Sequence, residues 1–380
     1  MKRSTTTPNR RWMLWLLIGV AVALVAGHVA PPLLINLMKL QDTNVSSTYR
    51  TAPAEAQLLD VAAFRDGAPT PGNAGREECA DGESAPLSCF HVTGPAQVER
   101  TTATAPAEKY IEADVTTHIT VDVAGQTALE IEDELRISRD SNFPVPEPRA
   151  HTTITSPALQ IDAAGEPEVR EGLQWFFPFT TERRSYLYFD VLAQEPTPID
   201  YVGETEVSGL EAWEFSQTLD GTALPWPSEE TFFGPAERFY TPAERTERGF
   251  EADTAVALDP YYAVDRTIFV EPETGTVLDV QETLHLYLAT DGEDAADLIA
   301  AADGAAHPLR TLLHTDADWD ADTREQQADK ARPDLAVLRG LQILAWVANA
   351  VALALIAALV VHVVRVRGNR ARSLTAPAEL

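Results

Sequence analysis

The chain has 380 residues, and its 58 Asp and Glu residues outnumber the 29 Lys and Arg residues to give a formal net charge of −29. This balance argues against a nucleic-acid-binding protein, because phosphate contacts require concentrated Lys and Arg. Hydrophobic residues make up 45% of the chain and charged residues 23%, a composition that argues against wholesale disorder and for a substantial folded core.

The two ends of the chain are basic, while the middle is strongly acidic. Residues 1–30 carry a formal charge of +4 and residues 341–380 carry +3, which leaves −36 for the residues between them. Each basic end flanks an uncharged apolar run, residues 12–30 and residues 341–364. A bilayer core needs about 20 apolar helical residues, so both runs are long enough to span a membrane.

The apolar runs and their charged flanks predict a two-pass plasma-membrane protein with both termini in the cytoplasm, because basic flanks stay on the cytoplasmic side. For the first run the alternative is a cleaved signal peptide, and for the second it is a buried helix of a soluble protein. The predicted segments are a cytoplasmic N-terminus (1–11), a first transmembrane helix (12–30), an extracytoplasmic domain (31–340), a second transmembrane helix (341–364) and a basic cytoplasmic tail (365–380).

The chain has two cysteines, Cys79 and Cys89, in a segment that contains Gly, Ser and Pro. Outside the cytoplasm, such a pair most naturally forms a short disulfide loop. A zinc site is the alternative, but it needs about four ligands and only His91 lies nearby in the sequence. We therefore expect a structural disulfide.

Alternating polarity dominates the predicted extracytoplasmic domain. Residues 111–123 alternate between apolar and polar, and after a turn at 124–126 the pattern continues through residues 129–137, broken on the apolar face by Asp133. This pattern predicts a long antiparallel hairpin. Further strands are predicted at 186–192, 204–207, 212–216 and 278–288, short strands and loops at 41–106, and helices at 293–302 and from about 323 toward the second span. The predicted class is a mainly β (α+β) extracytoplasmic domain with long antiparallel strands, flanked by an N-terminal and a C-terminal transmembrane helix.

No residue pattern in the chain indicates catalysis. The eight histidines show no metal-binding spacing, and the sequence has no nucleophile elbow, phosphate-binding loop or dinucleotide fingerprint. The acidic run 316–322 superficially resembles a calcium loop, but it lacks the Gly and Glu that such a loop needs at its sixth and twelfth positions. A solvated acidic turn is the simpler interpretation. We therefore predict a protein that is not an enzyme and that uses no cofactor or metal.

One segment is unusually rich in aromatic residues, and it allows two interpretations. The rings can fill the core, or they can line an apolar pocket for an acyl chain. The residues concerned are Trp175, Phe176, Phe177, Phe179, Tyr186, Tyr188 and Phe189.

The same segment carries a family resemblance. Residues 172–190 resemble the central motif of the actinobacterial porin PorA family, also called DUF3068, and residues 201–215 and 266–277 resemble further motifs of that family. The resemblance implies two different roles. The label "porin" implies a channel of the mycolate outer envelope, whereas links of family members to lipoglycan assembly imply a lipid-binding domain outside the cytoplasm.

The hydrophobic terminal helices favour the second role, because a pore-forming barrel crosses the membrane with strands. The leading hypothesis is a membrane protein of the cell envelope whose outer domain binds or presents an envelope lipid or glycolipid. The alternatives are a scaffold for envelope-synthesis proteins and a porin. The expected partners are the plasma membrane, an envelope lipid or glycolipid and envelope-synthesis proteins, without nucleic acid.

Overall fold

The computed structural model describes residues 10–82, 84–224, 232–302 and 304–374. The chain divides into two compact units: residues 40–331 form the first, here called the β unit, and residues 1–39 and 332–380 form the second, here called the helical unit. The helices are α1 (Arg10–His28), α2 (Ala30–Met38), α3 (Val61–Arg65), α4 (Pro242–Arg248), α5 (Gly292–Ala302) and α6 (Ala321–Leu374). The strands are β1 (Val45–Arg50), β2 (Ala54–Leu59), β3 (His91–Pro106), β4 (Glu112–Val123), β5 (Gln126–Ser138), β6 (His151–Ser156), β7 (Ile161–Ala164), β8 (Tyr186–Asp190), β9 (Glu195–Val207), β10 (Leu210–Ala223), β11 (Phe232–Pro235), β12 (Ala255–Val270), β13 (Val277–Ala289) and β14 (Thr311–Asp316).

The β unit is built on one large antiparallel sheet, which confirms the predicted fold class. Its strands follow the order β7-β6-β5-β4-β3-β2-β14-β13-β12-β10-β9-β8, with β1 added beside β3 and β11 beside β12. In a flat sheet β5 and β12 would lie about 29 Å apart, at roughly 4.8 Å for each of the steps between them. Side chains from both strands nevertheless line one cavity, so the sheet is strongly curled.

The predicted hairpins are present, and their turns explain their positions. β4 and β5 pair from Glu112↔Ser138 to Val123↔Gln126, across a turn in which Ala124 and Gly125 have φ values of 51° and 80°. β9 and β10 meet at Ser208-Gly209, with φ values of 48° and 77°. Two successive positive φ values match the twist of the flanking strands, and glycine at the second position lowers the cost of the turn.

Other elements differ from the sequence-based expectation. β3 is 16 residues long, whereas the sequence predicted only short strands up to residue 106. The long strand was missed because its second half, rich in Thr and Ala, shows only weak alternation between apolar and polar residues. β8 ends at Asp190, before the predicted end at residue 192, because the Asp190 carboxylate accepts hydrogen bonds from the amides of Leu192 and Ala193 and so makes a turn. α5 and α6 confirm the two predicted helices, and α6 continues through Pro333.

The helical unit contains two segments that are long and apolar enough to cross a membrane, Trp12–Met38 and the apolar part of Ala321–Arg365. The first segment remains helical and apolar beyond Ala30, the predicted end of the first span. Pro31 does not interrupt it, because this residue lies in the first turn of α2, where its missing N–H is not needed. Within this unit α1 packs closely against α6: a Cβ on Gly19 would lie 3.1 Å from Leu355, and one on Gly27 would lie 3.2 Å from Ala348. Large apolar side chains such as Trp15 and Trp346 remain exposed, as expected of a surface that contacts lipid.

Candidate functional site

The β unit contains a cavity of about 100 Å³ on the inner face of its curled sheet. A single buried water needs only roughly 10–15 Å³, so the space exceeds what one water fills. The cavity is lined by strands from both halves of the sheet and by residues of four connecting segments. The lining residues are Tyr49, Thr51, Val98, Arg100, Ile119, Val121, Leu129, Ile131, Trp175, Asp190, Val191, Leu192, Tyr262, Arg266, Val280, Glu282, Leu284, Thr315, Ala317 and Trp319.

Aliphatic side chains form much of the cavity wall. Ile119 and Val121 on β4, and Leu129 and Ile131 on β5, are each two residues apart, so each pair points to the same face of its strand. Leu284 on β13 lines the cavity as well. The period-two pattern that predicted this hairpin therefore also supplies an apolar wall on the concave side.

Asp133, the acidic residue that breaks the apolar face of the hairpin, is the centre of a buried hydrogen-bond network. Its Oδ1 accepts from Arg170 Nη1 at 2.7 Å and from Thr152 Oγ1 at 2.8 Å. Its Oδ2 accepts from Gln174 Nε2 at 2.7 Å and from Trp175 Nε1 at 3.3 Å. Neither the Asp133 nor the Arg170 side chain is exposed. The network fixes the chain around Trp175, whose φ of 64° is unfavourable for a residue other than glycine.

A second buried cluster places charged groups in the cavity wall. Arg266 donates through Nη2 to Asp190 at 2.9 Å and to Glu282 at 2.9 Å, while its Nη1 donates to Gln217 at 2.6 Å. Tyr262 donates its hydroxyl to Asp190 at 3.0 Å. Burial opposes the charged form of Arg266, but the carboxylates of Glu282 and Asp190 outweigh it and raise the pKa of the guanidinium well above its ordinary value. The guanidinium therefore stays charged, and Arg266, Asp190 and Glu282 together have a formal charge of −1.

Arg100 is the other cation in the wall, and its environment is aromatic. Its Cζ lies 4.4 Å from the ring centroid of Tyr49, 4.9 Å from Trp175 and 5.5 Å from Trp319. Tyr49 and Trp319 stack on each other with their centroids 4.9 Å apart. Among the residues that the structure describes, no hydrogen-bond acceptor pairs with the Arg100 guanidinium, and its Nε is buried. We call Arg100 and these three rings the aromatic cage.

The seven aromatic residues that were predicted to line a pocket or fill the core lie in several different parts of the β unit. Only Trp175 lines the cavity. Phe177, Tyr186 and Tyr188 are buried together in a cluster with Phe215. The remaining three residues also lie outside the cavity: Phe189 is buried in the main core under the guanidinium of Arg170, Phe176 packs on a smaller cluster formed by β4 and β5, and Phe179 is half-buried.

The residues that complete the cavity wall were not identified from the sequence. Tyr49, Arg100 and Trp319 lie on segments far apart in the chain, and they meet because β1 pairs with β3 and residue 319 follows β14. The one available signal was Asp133, because an acid on an otherwise apolar face requires buried partners.

The two cysteines form the predicted disulfide. Cys79 and Cys89 are joined with their Cα atoms 5.5 Å apart, and both are buried. Each lies in a short 3₁₀ turn, Glu77–Cys79 and Leu87–Phe90. In the part of the chain that the structure describes, no group of three His, Cys, Asp or Glu side chains is arranged to hold a metal ion. The disulfide therefore cross-links the segment between α3 and β3.

The acidic run at 316–322 has structural contacts. Asp316 accepts a hydrogen bond from the hydroxyl of Thr283 at 2.7 Å. Asp320 caps the first turn of α6 by accepting from the amide of Thr323 at 2.7 Å. A side-chain oxygen at this position satisfies an amide that has no partner within the helix.

Comparison with known proteins identifies the family. The family model described as Porin PorA matches residues 13–361, which include most of both apolar segments and the whole β unit. The chain belongs to the porin PorA family. A protein named Porin PorA from Corynebacterium resistens is 28% identical over 377 aligned residues, covering 86% of this chain and 89% of its own. Another from Corynebacterium amycolatum is 26% identical, covering 83% of this chain and 88% of its own.

The family and the two apolar segments together indicate a protein of the membrane or cell envelope. The relatives are named as porins, and porins are not enzymes. The match extends through the central aromatic motif that carried the sequence resemblance.

Proposed function

We propose that the β unit binds or presents a lipid or glycolipid during assembly of the cell envelope. In this proposal the two apolar segments anchor the chain in the plasma membrane, with both termini in the cytoplasm and the β unit outside. The observation that carries the proposal is the cavity inside the curled sheet, whose wall combines aliphatic side chains with a few buried charged groups. Binding sites for amphiphilic small molecules have this composition.

The outer face of the sheet supports the same proposal. Glu132 and Glu134 on β5 are exposed, and they alternate with the buried Ile131, Asp133 and Leu135. A strand that faced lipid from a transmembrane barrel would need apolar residues at the exposed positions, because carboxylates are costly in hydrocarbon. The hairpin therefore suits a domain in water with an apolar interior.

The family name favours a second candidate function, a porin. A porin would conduct ions when the purified full-length chain is incorporated into planar bilayers. Lipid binding makes a different prediction: lipids should remain with the chain through purification, and conductance should stay at the level of the bilayer alone.

The experiment that tests the proposed function is native mass spectrometry of the full-length chain released from nanodiscs. We expect a bound lipid that survives loss of the loosely attached annular lipids. As a matched pair we propose Leu129→Trp, which fills the cavity, and Val202→Trp, which adds the same side chain at an exposed position on β9. Loss of the lipid with Leu129→Trp alone would support the proposal. Equal retention by both variants, or no retained lipid in the wild-type chain, would contradict it.

A further inference from the structure

Arg100 has unused hydrogen-bonding capacity, although a partly buried arginine usually has hydrogen-bond partners. A guanidinium has five N–H donors, and buried donors without partners are costly. Arg100 is half-buried, its Nε is buried without a hydrogen-bond partner among the described residues, and its Cζ lies near the rings of Tyr49, Trp175 and Trp319, whose faces attract its positive charge without accepting its N–H groups as an oxygen would. The cage thus holds the charge in place while leaving donors for a ligand.

The other charged groups of the cavity do not fill this role. Each of the three guanidinium nitrogens of Arg266 already donates to Asp190, Glu282 or Gln217. The formal charge of this cluster is −1, which opposes an anion. Lys330 brings a further positive charge near the cage, since its Nζ lies 5.5 Å from the ring centroid of Tyr49 and donates to Ser47 at 2.8 Å. The attraction for an anion is therefore concentrated at Arg100.

We propose that Arg100 binds the anionic head group, a carboxylate or a phosphate, of an amphiphile whose hydrocarbon chain lies along the aliphatic wall formed by residues such as Ile119, Ile131 and Leu284. This proposal rests on the proposed lipid-binding function and specifies the chemical class of its ligand. A planar guanidinium matches the two oxygens of a carboxylate or phosphate and forms strong, charge-assisted hydrogen bonds with them. Its planar face can meanwhile stay stacked on the rings of the cage.

The cage also explains how such an anion is tolerated in an acidic protein. The residues between the two basic ends carry a formal charge of −36, so bulk electrostatics oppose the approach of an anion. A site on the inner face of the sheet is exposed to short-range interactions with Arg100, while the surface carboxylates are screened by salt over about 10 Å. Local geometry therefore decides the preference.

The test compares a charged probe with its neutral analogue on the full-length chain in nanodiscs. The probes are the fluorescent fatty acid cis-parinaric acid and its methyl ester, with Arg100→Gln as the variant and Arg50→Gln, which removes an exposed arginine paired with Glu99 on the neighbouring strand, as the control. We expect the acid to bind Arg100→Gln roughly 10–100-fold more weakly than the wild type, and the ester to bind both within about threefold. Arg100→Lys, which keeps the charge, should retain part of the preference for the acid, and Arg50→Gln should retain all of it.

The possible outcomes separate this proposal from the function on which it rests. Equal binding of acid and ester to the wild type and to Arg100→Gln would overturn the role of Arg100 and leave lipid binding in place. Binding of neither probe to the wild type would overturn both. Competition with dodecyl phosphate and with inorganic phosphate identifies the source of the anion: displacement by dodecyl phosphate alone supports an amphiphile, and equal displacement by inorganic phosphate overturns it. Thermal unfolding of each variant shows whether a loss of binding reflects a loss of folding.

Discussion

Asp133 lies inside the β unit, where a carboxylate is stable only because four donors surround it. Arg170 is its charged partner, and neither side chain is exposed. The carboxylate also holds Trp175, which contributes one wall of the aromatic cage. Asp133 thus connects strand β5 by hydrogen bonds to the segment around Trp175, which lines the cavity.

Replacing Asp133 with Asn should lower the free energy of unfolding by about 3–5 kcal/mol, because it leaves Arg170 buried without its principal counter-charge. Asp114→Asn is the control, since it breaks the hydrogen-bonded pair with Arg136, in which Asp114 is 45% exposed, and should cost about 1 kcal/mol or less. The measurement is urea unfolding of the full-length chain, followed by the circular dichroism of its sheet. Equal losses in the two variants would show that the buried network contributes nothing special.

Two buried histidines should make the β unit sensitive to acid. Burial lowers the pKa of His91 to about 4 and that of His285 to about 3. His91 accepts from Gln57 at Nδ1 and donates from Nε2 to the carbonyl of Thr311, which is the arrangement of a neutral ring. The unfolded chain takes up these protons near pH 6.5 and the folded chain does not, so stability falls as the pH drops from about 6.5 toward 4.

The variant His285→Gln should flatten this dependence, whereas His118→Gln, which changes a histidine whose side chain is 43% exposed, should not. Asp279 acts in the opposite direction, because burial raises its pKa to about 6 and stabilises the protonated form. The free energy of unfolding should therefore be measured at each pH between 4 and 7 in the wild type, in His285→Gln and in His118→Gln. An unchanged slope in His285→Gln would rule out this histidine as a source of the acid sensitivity.

Tight turns control how loops attach to the sheet. Gly275 lies between β12 and β13 with a φ of 73°, and a Cβ there would stand 2.6 Å from the carbonyl oxygen of Pro178 and 2.7 Å from that of Phe177. Gly209 has a similar φ of 77°, but a Cβ there would meet nothing within 4 Å. The two glycines share a backbone conformation and differ in their surroundings.

Gly275→Ala should therefore destabilise the β unit more than Gly209→Ala, which should cost about 1–2 kcal/mol from the left-handed conformation alone. The difference measures how tightly the segment after Phe176 docks onto the β12–β13 turn. Thermal unfolding of the two variants and of the wild type checks the order. Equal melting temperatures for the two variants would mean that this segment moves aside freely.

The elements that the sequence predicted best are those whose signals are local. The β4–β5 hairpin follows from strict alternation and a Gly-containing turn, and the terminal helices follow from uninterrupted apolar runs. The cavity was not predictable in this way. It requires Tyr49 opposite Arg100, in a pairing between β1 and β3 that spans about fifty residues of chain, with Trp319 brought in by the return of β14 to the sheet. Such long-range pairing leaves no pattern within a short window of sequence.

At the scale of the whole chain, charge and hydropathy divide the same way as the two compact units. The negative charge belongs to the residues between the basic ends, and the apolar exposed side chains are concentrated in the helical unit. A surface of this kind suits lipid around the helices and water around the sheet. It also means that the anionic ligand proposed for the cavity would gain nothing from the overall charge of the β unit, so its binding would depend on Arg100, which has no hydrogen-bond acceptor among the described residues.

The proposed topology gives the last prediction. If both basic ends face the cytoplasm, a fluorescent protein that folds only in the cytoplasm should fluoresce when fused to either end of the chain. Tyr110, which is 73% exposed on the β unit, should as Tyr110→Cys react with a membrane-impermeant maleimide added to intact cells, because this unit would lie outside the membrane. The native cysteines do not interfere, since they are joined in a buried disulfide. Labelling of Tyr110→Cys only after cell lysis, with wild-type cells as the unlabelled control, would contradict an outward-facing β unit, and fluorescence from only one fusion would mean that the two ends lie on opposite sides.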